Sequence, residues 1–156
     1  MESLTIPKNV QLVGVCAFSD CTSLKSITLP DSLQEIGGSA FYKCTSLETI
    51  KLPRDLRTLG HAAFSECKAL TEIRIPENVK TISSETFTNC HSLASVELPD
   101  QLVYIESQAF NDCQSLKTVS LPGSLQALGK GSFSHCTNLE KMSIPDGVNI
   151  IPQSLF

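Results

Sequence analysis

The chain of 156 residues has no tryptophan, and aromatic residues make up only 6% of it. Stacking platforms for bases or sugars are therefore not expected. Twelve Lys and Arg against 16 Asp and Glu give a net charge of −4, with no basic cluster. That balance argues against a nucleic-acid partner, which requires clustered cations. No apolar run reaches the roughly 18 residues that a spanning helix needs, so no direct membrane insertion is expected. The opening Met1-Glu2-Ser3-Leu4 lacks the basic-then-apolar order of a secretory signal. No Asn-x-Ser/Thr acceptor for glycosylation is present. Catalytic and metal-binding patterns are missing as well. His61, His91 and His135 fall in three different places of the repeat described below and read as solvated turn residues. Gly129-Lys130-Gly131-Ser132 lacks the upstream glycine of a phosphate loop, since Ser124 stands there. Asp20 and Asp112 lie four repeats apart, too far for a carboxylate pair. No cysteines have the close Cys-x-x-Cys spacing typical of a zinc site. The sequence therefore predicts no enzyme, no cofactor and no metal.

What is present is a period. Proline recurs at 7, 30, 53, 76, 99, 122 and 145, and all seven Phe residues recur at 18, 41, 64, 87, 110, 133 and 156. Cysteine recurs at 21, 44, 67, 90, 113 and 136, and leucine at 24, 47, 70, 93, 116 and 139. Each step is 23 residues. Chance does not align four such columns in one register, so the chain is a repeat array. Further columns, headed by Ile27, Leu33 and Ile36, vary only among aliphatic residues or Met. A single unit cannot bury its apolar positions alone, whereas stacked units share one core.

Within a unit, Ser26 to Leu29 alternates polar and apolar residues and predicts a short strand, which Pro30 ends. Leu33 to Ile36 predicts a second, shorter extended stretch. Ser39 to Cys44 places Phe41 and Cys44 three apart, which predicts one inward-facing turn of α- or 3₁₀-helix. Gly14, Gly37, Gly60 and Gly129 are expected to ease the bend after the second stretch. Parallel strands joined by crossovers predict a right-handed coil. The expectation is one solenoid domain over residues 1–156, an α/β-type repeat of about seven units, with short parallel strands on one face and short helical or 3₁₀ turns. The column cysteines read as reduced core thiols. Cys16 stands off register and reads as exposed, with a Cys16–Cys21 bridge as a minor alternative.

The pattern L-x-x-I-x-L-P-x-x-L-x-x-I-x-x-x-A-F-x-x-C resembles the BspA-like class of leucine-rich repeats along essentially the whole chain. The resemblance rests on the Pro after the strand, the Ala-Phe pairs (Ala40-Phe41, Ala63-Phe64, Ala109-Phe110) and the trailing Cys. Thr86, Ser132 and Leu155 replace the Ala, and Met142 replaces the Ile. The column that holds a buried Asn ladder in common leucine-rich repeats is mixed here: Asn9, Ser32, Asp55, Asn78, Gln101, Ser124, Gly147. The resemblance implies a surface or secreted adhesion protein whose partners are host matrix or cell-surface proteins.

A partner is expected on the outward side of the first strands, where Ser and Thr surround a charged island. The candidate binding residues are Thr49, Lys51, Glu72, Arg74, Ser95 and Glu97. Val103 and Tyr104, with Leu12 and Ile150 at places equivalent to Tyr104, form small apolar spots on another face. Neither end shows the polar cap that a solenoid requires. That predicts a fragment of a longer array, or end-to-end self-association. Two further readings stay open: a structural spacer or self-assembling segment, and an intracellular interaction scaffold in the cytoplasm.

Overall fold

A computed structural model describes all of residues 1–156. The chain winds as a right-handed parallel β-solenoid of about six full turns. Coils are counted here from the leading Leu of each repeat: coil 1 covers 1–23, coil 2 24–46, coil 3 47–69, coil 4 70–92, coil 5 93–115, coil 6 116–138 and coil 7 139–156. Coil 1 carries β1 (Ser3–Thr5) and β2 (Leu12–Val13), and coil 2 carries β3 (Ser26–Thr28) and β4 (Glu35–Ile36). Coil 3 carries only β5 (Thr58–Leu59). Coil 4 carries β6 (Glu72–Arg74) and β7 (Thr81–Ile82), and coil 5 carries β8 (Ser95–Glu97) and β9 (Tyr104–Ile105). Coil 6 carries β10 (Thr118–Ser120) and β11 (Ala127–Leu128), and coil 7 carries β12 (Lys141–Ser143).

Strand length follows from the chemistry of the repeat. The middle residue of β3, β6, β8 and β10 (Ile27, Ile73, Val96, Val119) is buried between two exposed neighbours. Proline then stops each strand, and its carbonyl accepts the N–H three residues on, as Pro30 does from Leu33 at 3.1 Å. Every strand pair is parallel and steps by one repeat, as Leu4 with Ile27 and Ile82 with Ile105 show. The mixed polar column after the proline also ties coils together. Ser32 Oγ donates to the carbonyls of Lys8 and Val10 at 2.6 and 2.7 Å, and Ser124 Oγ to those of Asp100 and Leu102 at 2.7 and 2.6 Å.

The expected helical turns are absent. Residues 39–44 form successive tight turns instead. Ala40, Tyr42 and Cys44 donate to the carbonyls three residues back, but Ser39, Phe41 and Lys43 donate to His61, Ala63 and Ser65 of the next coil. A 3₁₀-helix needs every N–H for its own ladder. Here alternate donors are diverted sideways, and Ser39 and Lys43 adopt left-handed φ of 52° and 57°. The same two places are left-handed in every coil through coil 6, with Gly131 the one glycine among them. The role expected for the glycines after the second stretch also changes. Gly37, Gly60 and Gly129 do not have positive φ. A Cβ on any of them would collide with backbone of the preceding coil, so they serve close stacking.

One continuous core of 37 buried residues runs down the axis. Phe41, Phe64, Phe87, Phe110 and Phe133 are almost wholly excluded from solvent and stack ring on ring, with centroids 5.2–5.7 Å apart. Beside them each cysteine thiol donates to the Phe carbonyl of the preceding coil: Cys44 to Phe18, Cys67 to Phe41, Cys90 to Phe64, Cys113 to Phe87 and Cys136 to Phe110, at 3.1–3.2 Å. Burial raises these thiols above their ordinary ionisation range, Cys44 to about 12 and Cys136 to about 11, so they remain protonated donors.

Candidate functional site

The strand face is where the chain presents polar side chains. In β6 and β8, Glu72 faces Ser95 and Arg74 faces Glu97 in register. Alternation puts these four outward while Ile73 and Val96 point into the core. Arg74 Nε lies 3.4 Å from Glu97 Oε1. Both side chains are mostly exposed, so the pair orders the surface more than it stabilises the fold. Thr49 and Lys51 stand at the equivalent places of coil 3 and are also exposed.

These six residues share one cleft of about 660 Å³ that spans coils 2 to 5, centred on coils 3 and 4. Ile50, Leu52, Ile73 and Ile75 form its apolar floor. Asp31, Arg54 and Glu77 extend its rim beyond the prolines. Those three lie one residue after Pro30, Pro53 and Pro76, so a single 23-residue column of the sequence held them although the strand columns did not. The cleft carries four carboxylates, Asp31, Glu72, Glu77 and Glu97, against Lys51, Arg54 and Arg74. Such a surface suits a partner with charges of both signs.

Beneath the cleft, coil 3 departs from strand geometry. Thr49 to Lys51 is the one first-strand position among the seven coils that forms no strand, and the backbone groups of residues 49–52 bond no other backbone group.

Other sequence candidates lie elsewhere. Leu12, Tyr104 and Ile150 are exposed on the second-strand side, as expected, while Val103 is half-buried. Tyr104 donates to Gln126 Oε1 at 3.4 Å and is separate from the cleft. His91 is not a free turn residue: its Nε2 lies 3.0 Å from Asp112 Oδ2, and Gln114 donates to the other oxygen of that carboxylate at 3.0 Å. His61 and His135 are exposed. Cys16 is exposed at a left-handed backbone position. No helix is long and apolar enough to cross a membrane.

A family model described as the BspA type leucine rich repeat region matches in six copies, over residues 1–93 and 60–156. No curated protein matches the chain significantly. Among solved structures, a T. pallidum leucine-rich repeat protein is 30% identical, with a TM-score of 0.74, covering 89% of this chain and 78% of that one. A leucine-rich repeat protein from Bacteroides ovatus is 27% identical with a TM-score of 0.76, covering 96% of this chain and 44% of that one. A leucine-rich cell surface protein from Faecalibacterium prausnitzii is 29% identical with a TM-score of 0.68, covering 90% of this chain and 46% of that one. This chain therefore spans less than half the length of the last two.

Proposed function

The chain belongs to the BspA type leucine-rich repeat family, and we propose that it is a non-enzymatic binding segment of a surface protein that engages host matrix or cell-surface proteins through its strand face. The observation that carries this reading is the convergence of Thr49, Lys51, Glu72, Arg74, Ser95 and Glu97 on one cleft with an apolar floor. A buried floor with a polar, charged rim is the anatomy of a protein-binding patch. The cell-surface description of the similar F. prausnitzii protein supports a surface location. The cleft has no aromatic residue in its lining, and Arg74 and Arg54 are the only side chains there of a type enriched at binding hot spots. Single-site affinity is therefore modest, and longer arrays gain by avidity.

The test is binding to immobilised extracellular-matrix proteins and to host cells, with the unmodified chain and with Lys51→Glu and Arg74→Glu. Reversal of these charges lowers binding about tenfold or more while the folded structure persists. Unchanged binding removes the patch.

End-to-end stacking is the second reading. It is favoured by exposed apolar groups on both outer coils: Val15 on the first, and Ile151 and Phe156, which stand in core columns, on the last. Sedimentation that shows concentration-dependent growth, abolished by Val15→Asp with Ile151→Asp, supports it. A strictly monomeric chain rejects it.

A further inference from the structure

The two outer coils carry opposite halves of the bonds that join each inner coil to the next. On the turn side an N–H donates to a carbonyl of the following coil, as Cys16 does to Gly38 at 2.9 Å and Phe18 to Ala40 at 2.8 Å. In coil 1 the matching carbonyls, Val15 and Ala17, accept from no backbone group. In coil 7 the matching donors, Ser154 N–H and Phe156 N–H, reach no backbone carbonyl. Side-chain donors point the other way along the axis. Asn78 Nδ2 donates to Arg54 O of the preceding coil at 3.1 Å, and each column thiol to the preceding Phe carbonyl, as Cys67 does to Phe41. Asn9 and Cys21, at the same places of coil 1, make no such bond, and the Asp146 and Phe156 oxygens stand at the acceptor places of coil 7. The core columns are open at the same two coils. Ala17 is exposed and Phe18 and Cys21 are half-buried, in columns that are buried in coils 2 to 6. Ile151 and Phe156 are 56% and 64% exposed, again in columns buried through those coils.

We infer that a second copy of this chain seats its coil 1 on coil 7 of the first, in the register that the coils themselves use, so that copies join head to tail. The inference rests on the end-to-end stacking read above and fixes its polarity. Like ends do not match: two coil 1 ends oppose carbonyl to carbonyl, and two coil 7 ends oppose N–H to N–H. Head to tail, the Ser154 and Phe156 N–H groups meet the Val15 and Ala17 carbonyls. Asn9 and the Cys21 thiol meet the Asp146 and Phe156 oxygens. A backbone group buried without a partner is costly, so this polarity is the one that lets the open apolar columns close. Charge agrees with it. Lys8 and Asp146 hold the same place in their coils, are both exposed and form no salt bridge, so the junction sets one against the other. Glu2 and Glu140 also share a place, but Lys25 Nζ already holds Glu2 at 3.0 Å. The Phe156 ring stacks on no other ring and is free to fill the column between Phe133 and Phe18 of the next copy. The two surfaces differ, so the contact does not close on itself and copies add in an open series.

The experiment blocks one end at a time. Ala17→Glu puts a charge on the coil 1 end and Ile151→Glu on the coil 7 end, both at exposed places, and circular dichroism checks that each variant keeps the fold. Sedimentation velocity of the unmodified chain is expected to show a concentration-dependent series that continues past dimers. Each variant alone is expected to stay monomeric, because it has lost one of two unlike surfaces. An equal mixture of the two is expected to form dimers and stop there, through the one intact pair of ends. Lys8→Glu is expected to weaken assembly severalfold, and Lys8→Glu with Asp146→Lys in one chain to restore it. This charge swap carries the test if either block unfolds the chain. Dimers formed by either blocked variant alone, or an unmodified chain that stops at dimers, overturn the inference and leave end-to-end stacking standing. So does a Lys8→Glu chain that assembles as well as the unmodified one, or a charge swap that restores nothing. Assembly indifferent to both blocks, or a chain monomeric at every concentration, overturns both readings.

Discussion

The turn side and the strand side of each coil are built from the same 23 residues but are held together very differently. On the turn side, three backbone bonds cross between consecutive coils from coil 1 to coil 6, all 2.8–3.1 Å long, and a Phe stack and a thiol run behind them. On the strand side only three of the six junctions close a first-sheet ladder. Continuous bonding on one side frees the other from having to hold the array together. The strand face can then lose a strand at Thr49 to Lys51, and a ladder between coils 3 and 4, while the core beneath stays shut. Ile50 and Leu52 remain buried on that side. A solenoid thus separates the residues that make it fold from the residues that vary on its surface.

The largest expected effect probes the turn side through pH. The thiols of Cys44, Cys67, Cys90, Cys113 and Cys136 are pushed above their ordinary value of 9.0, with burial the leading cause in each case. Folding therefore holds protons that the unfolded chain releases above pH 9. Their contribution is complete below pH 9 and is lost as pH rises toward the folded values, about 11 for Cys136 and about 12 for Cys44. All five thiols act in the same direction, so the loss of stability steepens as pH rises through that window. Urea unfolding under reductant at pH 8, 9 and 10 is expected to show a flat region and then a steep fall. A chain equally stable at pH 8 and pH 10 places the thiols outside the core.

Second in size is the ring column. Phe87→Ala removes a wholly buried ring stacked on both sides and is expected to cost about 3–5 kcal/mol in chemical denaturation. Phe18 is half-buried and stacks on Phe41 alone, so Phe18→Ala should cost clearly less. Equal losses would mean that the column does not act as one stack. Lys51→Glu on the opposite side should leave stability within about 0.5 kcal/mol.

Most of the turn-side architecture was legible in the sequence, because burial by stacking forces identical residue types to recur at one spacing. The Phe and Cys columns, the strand before six of the seven prolines and the apolar strand centres all follow from it. The turn conformation was not legible. Phe41 and Cys44 sit three apart in a helical turn and in successive tight turns alike, so spacing could not tell them apart. The left-handed places are filled by Ser39, Ala62, Glu85 and Gln108, where a glycine would have announced them. Asp20, Asn89 and Asp112 at the second such place carried a partial signal, since Asp and Asn tolerate that backbone. The six cleft residues were read from the sequence as a charged island within two columns rich in Ser and Thr. The open ladders between coils 3 and 4 were not legible, because Ile50-Lys51-Leu52 is as strand-like as its equivalents. Ser83 leaves a column rich in glycine, but Glu106 leaves it too and still closes its ladder, so that column gave no signal either.

The smallest effect tests how strictly the turn side must be satisfied. Two hydroxyls replace alanine in the column before the Phe, and both are fully buried. Thr86 Oγ1 donates to the Ser83 carbonyl at 2.7 Å. Ser132 Oγ has no partner at all. An unbonded buried hydroxyl costs about 1–3 kcal/mol, whereas a bonded one contributes a modest net gain. Ser132→Ala is therefore expected to raise stability by about 1 kcal/mol, and Thr86→Ala to lower it by a similar amount through the lost bond and methyl. Alanine occupies the column in coils 1, 2, 3 and 5, so neither change asks the backbone to move. The measurement is the urea midpoint of the two variants side by side. Opposite signs confirm that satisfaction of the hydroxyl, more than its size, decides the effect. A destabilised Ser132→Ala would show that this hydroxyl finds a partner in solution, the Gly129 carbonyl being the equivalent of the one Thr86 uses.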